Sequence, residues 1–130
     1  MPLLQFDVTG PLDPTDKEAF AAEVTDLYTE EMATTAGHVA VTIRERDPSD
    51  LHLGRAEDGR LLFLDAEIRR GRSFERKRAF ALATMEAARE RWDVPEANLK
   101  VVFTEHAGEQ MMGYDRVGGE WDVEDGGERD

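Results

Sequence analysis

The sequence contains no cysteine, which excludes disulfides, thiolate nucleophiles and cysteine-ligated zinc together. Lysine is nearly as scarce, with Lys17, Lys77 and Lys100 the whole complement. No long apolar stretch is present either. The longest uninterrupted run, Ala79 to Ala83, falls far short of the roughly 20 residues that span a bilayer. The opening segment carries Asp7, Asp13, Asp16, Lys17 and Glu18 and lacks both the basic and the apolar region of a secretory signal, so a cytoplasmic location is expected. No phosphate-binding glycine motif occurs: Gly118-Gly119 and Gly126-Gly127 precede no helix and read as flexible turns. The histidines His38, His52 and His106 share no spacing of four residues, so they read as ordinary turn or surface residues and no metal site is expected. No cofactor is expected.

What the chain does contain is acid. Its 29 acidic and 16 basic side chains give a formal charge of −13, a field that repels nucleic acid and anionic membranes, so neither is an expected partner. A strongly acidic, lysine-poor surface also suits a salt-adapted organism, the plain alternative being simply an acidic protein. With 130 residues, 40% of them hydrophobic, the chain is long enough for one domain with a real core.

Leu4, Phe6 and Val8 alternate with Leu3, Gln5 and Asp7, a period of two that predicts a half-buried strand almost at the N-terminus. Thr15 stands three residues before Glu18, a capping-box spacing that opens a helix bearing Phe20, Val24, Leu27 and Tyr28 on one face, with Gly37 as its stop. Val39, Val41 and Ile43 make a second strand. Leu51–Leu53 reads as a short edge strand, joined by the Asp58-Gly59 turn to a central strand built on Leu61-Leu62-Phe63-Leu64. Ser73 caps an alanine-rich helix with Phe80, Ala83, Ala87 and Trp92, Pro95 ends the helical region, and Leu99, Val101 and Phe103 form the last long strand. Beyond it, Gly108, Gly113, Gly118 and Gly119 punctuate a polar tail.

The halves, about 2–45 and 60–105, each read strand–helix–strand. The predicted fold class is therefore α/β (α+β): two βαβ units sharing a four-stranded sheet, with both helices on one face. Residues 1–121 form the single domain, and 122–130 an acidic flexible tail. The face left uncovered predicts a homo-oligomer of closed symmetry.

Pro2 is the first candidate for chemistry. Methionine aminopeptidases act when the second residue is small, and removal of Met1 would leave Pro2 a secondary amine. A free α-amino group has a pKa of roughly 7.7–8.0, which partial burial or nearby cations bring toward neutrality, where a general base works best. The alternative is a proline at a strand's first residue, where no ladder donor is lost. Arg69 and Arg72 directly precede the second helix and suit a carboxylate, since a guanidinium offers a planar fork and a helix N-terminus a favourable dipole. A solvated basic turn is the competing reading. Met111-Met112 and Trp121 can line a pocket or a subunit contact.

Pro2, the duplicated βαβ pattern, Arg69-Arg70-Gly71-Arg72-Ser73 and the stretch Val101–Arg116 resemble the cis-3-chloroacrylic acid dehalogenase branch of the 4-oxalocrotonate tautomerase superfamily. Met1-Pro2-Leu3-Leu4 with Phe6-Asp7 is similar to the malonate semialdehyde decarboxylase group of the same superfamily. The resemblance implies a cofactor-independent enzyme in which Pro2 is the base or acid, Arg69 and Arg72 bind and polarise a small carboxylate substrate, and three copies assemble into a homotrimer. It implies keto–enol tautomerisation of a 2-oxo acid, with hydration, dehalogenation or decarboxylation of short acids, or a non-catalytic binding role, as alternatives. Three positions depart from the branch: Tyr28 stands in place of a substrate-binding histidine, Val102 in place of a tyrosine, and Gly113 in place of a water-activating glutamate. Tyr28 can still hydrogen-bond substrate or serve as a core residue. Val102 and Gly113 can supply no proton, which weakens the hydrolytic alternatives unless Glu105, Glu109 or Tyr114 compensates.

Overall fold

A computed structural model describes residues 1–114 and 116–119. The expectations for Trp121 and for the tail at 122–130 lie outside the described residues. Strand β1 spans Leu3–Thr9, helix α1 Pro14–Glu31, β2 Ala40–Arg46, β3 Leu62–Arg69, α2 Phe74–Trp92 and β4 Leu99–His106. The sheet order is β2-β1-β3-β4. Within each half the strands are parallel, and β1 meets β3 antiparallel. The duplicated βαβ architecture expected from periodicity is thus present, with the two first strands at its centre.

Alternation divides the sheet into two chemistries. The rows Ile43–Phe6–Leu64–Val101 and Val41–Leu4–Ala66–Phe103 face the helices, and Leu4, Phe6, Leu64 and Ala66 are buried there. Phe20 and Trp92 from the two helices close over them. Burying side chains of this size is worth about 1.5–3 kcal/mol each, so this layer dominates the fold's stability. The opposite rows, Thr42–Gln5–Asp65–Val102 and Arg44–Asp7–Phe63–Lys100, carry mostly polar groups. The uncovered face is therefore laced by charge rather than broadly apolar.

On that face Asp7 accepts hydrogen bonds from Arg44 Nε at 2.9 Å, Arg44 Nη2 at 3.0 Å and Arg46 Nε at 2.8 Å. The hydrogen bonds from Arg44, with a smaller share from Arg46 and against the opposing effect of partial burial, hold the Asp7 carboxyl below its ordinary value of 3.8. A depressed acid stabilises the fold above its unfolded pKa and loses that contribution as pH falls through the folded one. Asp7→Asn is accordingly expected to lower stability at neutral pH by about 1 kcal/mol. Its deficit against wild type should shrink below pH 3.8. Urea titrations at pH 7 and pH 3 check this; a deficit that widens in acid would contradict it.

Several local expectations are corrected. Asp13, not Thr15, is the N-cap of α1: its side chain accepts from Thr15 N at 2.7 Å, with Pro14 in the first turn. The helix ends at Met32 rather than near Gly37, because Ala33 turns to a positive φ of 52°. Leu51–Leu53 forms no strand. The loop is fastened instead by the Asn98 side chain, which accepts from Glu57 N and donates to Glu57 O and Arg60 O. Gly108–Gly119 is more than a punctuated tail. It holds a small hairpin, β5 (Met112–Gly113) and β6 (Arg116–Val117), and Gly118 is buried rather than part of a flexible turn. A Cβ on Gly108 would overlap the Gly119 carbonyl, so the close approach of these two segments requires glycine at that position.

Candidate active site

Pro2 sits one residue before β1 with its ring buried, and its carbonyl accepts from Ala40 N at 3.1 Å. It shares the parity of Leu4 and Phe6, which turns the ring toward the helical layer. Continuing the antiparallel register one step beyond Leu3↔Glu67 brings Pro2 beside Ile68, the residue before Arg69. Strand pairing alone thus carries the two candidates to the same end of adjacent strands, although they are far apart in sequence.

Arg69 is 1% exposed, and its Nη1 donates to Gly119 O at 2.7 Å. That bond fastens the segment following β6 against the end of β3. Arg72, 5% exposed, donates from Nε to Met32 O at 2.9 Å and lies over the Tyr28 ring, 5.8 Å from its centroid. Arg76 Nη1 reaches Glu31 O at 3.2 Å. The last turn of α1 has no basic residue of its own, so these arginines from the start of α2 supply the cations that its carbonyl end favours. Tyr28 is fully buried, edge-on to Phe80 at 5.1 Å. The structure therefore joins Arg72 to Tyr28 and joins Arg69 to the hairpin segment.

A cleft of about 490 Å³ opens at Pro2, within the size range of small-molecule sites. Met1, Leu3, His38, Tyr114 and Arg116 are among its other lining residues. None of Tyr28, Arg69 and Arg72 lines this cleft. Met1 shares it with Pro2, so removing Met1 would both free the proline nitrogen and enlarge the space before it. His38, read from sequence as an ordinary histidine, and Arg116, not singled out at all, bring an imidazole and a guanidinium to this cleft. The signal for Arg116 was a lone basic residue within the glycine-punctuated stretch from Gly113 to Gly119.

The residues named as substitutes for the hydration groups are dispersed. Glu105 is ion-paired with Lys77, Glu109 is exposed in a 3₁₀ turn, and Tyr114 is fully exposed at the cleft. Val102 lies 47% exposed on the uncovered sheet face, while Gly113 lines the cleft. His106 Nε2 is engaged with Glu67 Oε1 at 3.2 Å.

The sequence matches no family model, and no curated protein matches it. Solved structures do match. N1, a member of the cis-3-chloroacrylic acid dehalogenase family, is 22% identical with a TM-score of 0.79, over 93% of this chain and 87% of that one. FG41 malonate semialdehyde decarboxylase, inhibited by 3-bromopropiolate, is 23% identical with a TM-score of 0.73, over 85% and 87% of the two chains. A wild-type symmetric trimer of fused 4-OT is 22% identical with a TM-score of 0.76, over 84% and 91%. The chain has the fold of the tautomerase superfamily. What the individual members do is a property of those proteins, since at these identities the likeness is one of fold.

Proposed function

We propose that this protein is a cofactor-independent tautomerase of the cytoplasm, acting on a 2-oxo acid or a similar small carboxylate through the amine of Pro2 after Met1 is removed. The observation that carries the reading is the position of Pro2: a buried ring at the head of β1, opening on a cleft whose described lining includes the Arg116 guanidinium and no acidic residue. In this mechanism the Pro2 nitrogen takes a proton from an enol oxygen or from the carbon next to a carbonyl and returns it at the other site. Arg69 and Arg72, buried at the neighbouring strand end and outside the cleft lining, add positive potential that stabilises the developing enolate charge. Arg72 also keeps Tyr28 and the end of α1 in place, which makes Tyr28 a support beneath that guanidinium. The polar, uncovered face of the sheet and the trimeric assembly of the fused 4-OT neighbour support a homotrimer as the working form.

Two measurements test the reading. Intact mass of the purified native protein is expected to lack the N-terminal methionine, and the protein should ketonise phenylpyruvate enol well above the buffer rate. A chain that retains Met1 has an amide at Pro2 with no basic nitrogen, and the proposal then fails.

A further inference from the structure

More than one residue in five of this chain is Asp or Glu, 29 of 130, yet among the described residues the lining of the Pro2 cleft includes neither. It contains His38 and Arg116 instead, contributed by two separate segments. His38 comes from the 3₁₀ turn at Ala36–His38 that leads into β2, and Arg116 comes from β6. Several arginines elsewhere meet carboxylates: Arg44 and Arg46 on Asp7, Arg89 on Glu86, Arg91 beside Asp16 and Glu23. Among the described residues, the guanidinium of Arg116 and the imidazole of His38 have no hydrogen-bond or ion-pair partner. In a chain with such an excess of acid, a guanidinium and an imidazole left open beside one cleft are positioned for an anion from outside.

The hairpin that carries Arg116 is also held in place. Gly113 pairs with Arg116 across it, Gly118 N donates to Met111 O at 2.9 Å, and the Gly119 carbonyl accepts from Arg69 at 2.7 Å. A guanidinium on an anchored strand loses less freedom on binding than one on a loose tail. Its planar fork matches the two oxygens of a carboxylate.

We propose that Arg116, with His38 as a second donor, grips the carboxylate of the substrate at the mouth of the Pro2 cleft. This deepens the proposed function and takes from it only the identity of the substrate; the binding step stands without turnover. Arg116 is exposed, so its attraction acts on bound substrate and transition state alike and appears in KM rather than in kcat. The contact also weakens with added salt.

The test uses the full chain and pyruvate as the probe, following the His38 ring signals by NMR. A saturable shift is expected in wild type and in Pro2→Ala. Arg116→Gln should weaken the affinity by about tenfold to a hundredfold, with Arg116→Lys recovering part of the loss. With phenylpyruvate, Arg116→Gln should raise KM by a similar factor and leave kcat nearly unchanged, while the thermal midpoint stays at the wild-type value. No saturable His38 shift in wild type, or equal pyruvate affinity in wild type and Arg116→Gln, overturns the assignment. Arg116-dependent pyruvate binding without any tautomerase turnover would leave the carboxylate subsite standing and remove the proposed reaction instead.

Discussion

Pro2→Ala protein, verified by mass to begin at residue 2, is expected to ketonise phenylpyruvate enol about 10²–10⁴-fold more slowly than wild type, the range typical of removing a positioned general acid–base group. Alanine keeps a terminal amine but loses the ring that β1 buries, so the nitrogen is no longer held at one place and orientation in the cleft. A companion chain with one extra residue ahead of Pro2 makes the opposite change: the ring stays and only the nitrogen becomes an amide. Loss of activity in both isolates the placed amine as the cause. Full activity in the extended chain would show that the nitrogen takes no proton, whatever the alanine variant does. KM should change less than kcat, because Pro2 acts on the moving proton and not on the carboxylate.

The strands of this fold were legible because each is half-buried. Leu4, Phe6 and Val8 against Gln5 and Asp7, and Leu62, Leu64 and Ala66 against Asp65 and Glu67, obey a period of two that the helical layer imposes. Ser73 was readable as a cap, and its side chain does accept from Arg76 N. Asp13 was missed although Pro14 at the first helical position points to the residue before it. The end of α1 was less accessible, since a non-glycine residue at positive φ, Ala33, leaves no compositional mark. Leu51–Leu53 looks like a strand but leads into a loop that Asn98 fastens at Glu57 and Arg60 from a distant part of the chain. The same distinction separates the halves of the site. Pro2, Arg69 and Arg72 carry unusual local chemistry and stand out one residue at a time. The joint position of His38 and Arg116 depends on a hairpin held by glycine contacts and an Arg69 bond, which no local pattern specifies.

Phe20→Ala is expected to lower stability by about 3–5 kcal/mol and the melting temperature by roughly 10–20 °C for a domain of this size. Phe20 is fully buried, edge-on to Phe6 of β1 at 5.1 Å and tilted against Trp92 of α2 at 4.6 Å. It therefore joins α1 to the central strand and to the other helix at one point, and truncation leaves a cavity between three elements that cannot all close on it. Phe74→Ala is the matched control, since Phe74 is 69% exposed at the start of α2 and its removal should change the stability of the isolated fold by no more than about 0.5 kcal/mol. Equal losses in the two variants would mean that the aromatic cluster does not organise this core. A large loss at Phe74 accompanied by dissociation would place that side chain in a subunit contact. Because Pro2 directly precedes the strand that carries Phe6, Phe20→Ala should also bring the temperature of activity loss down in step with unfolding, while kcat measured well below the transition stays close to wild type.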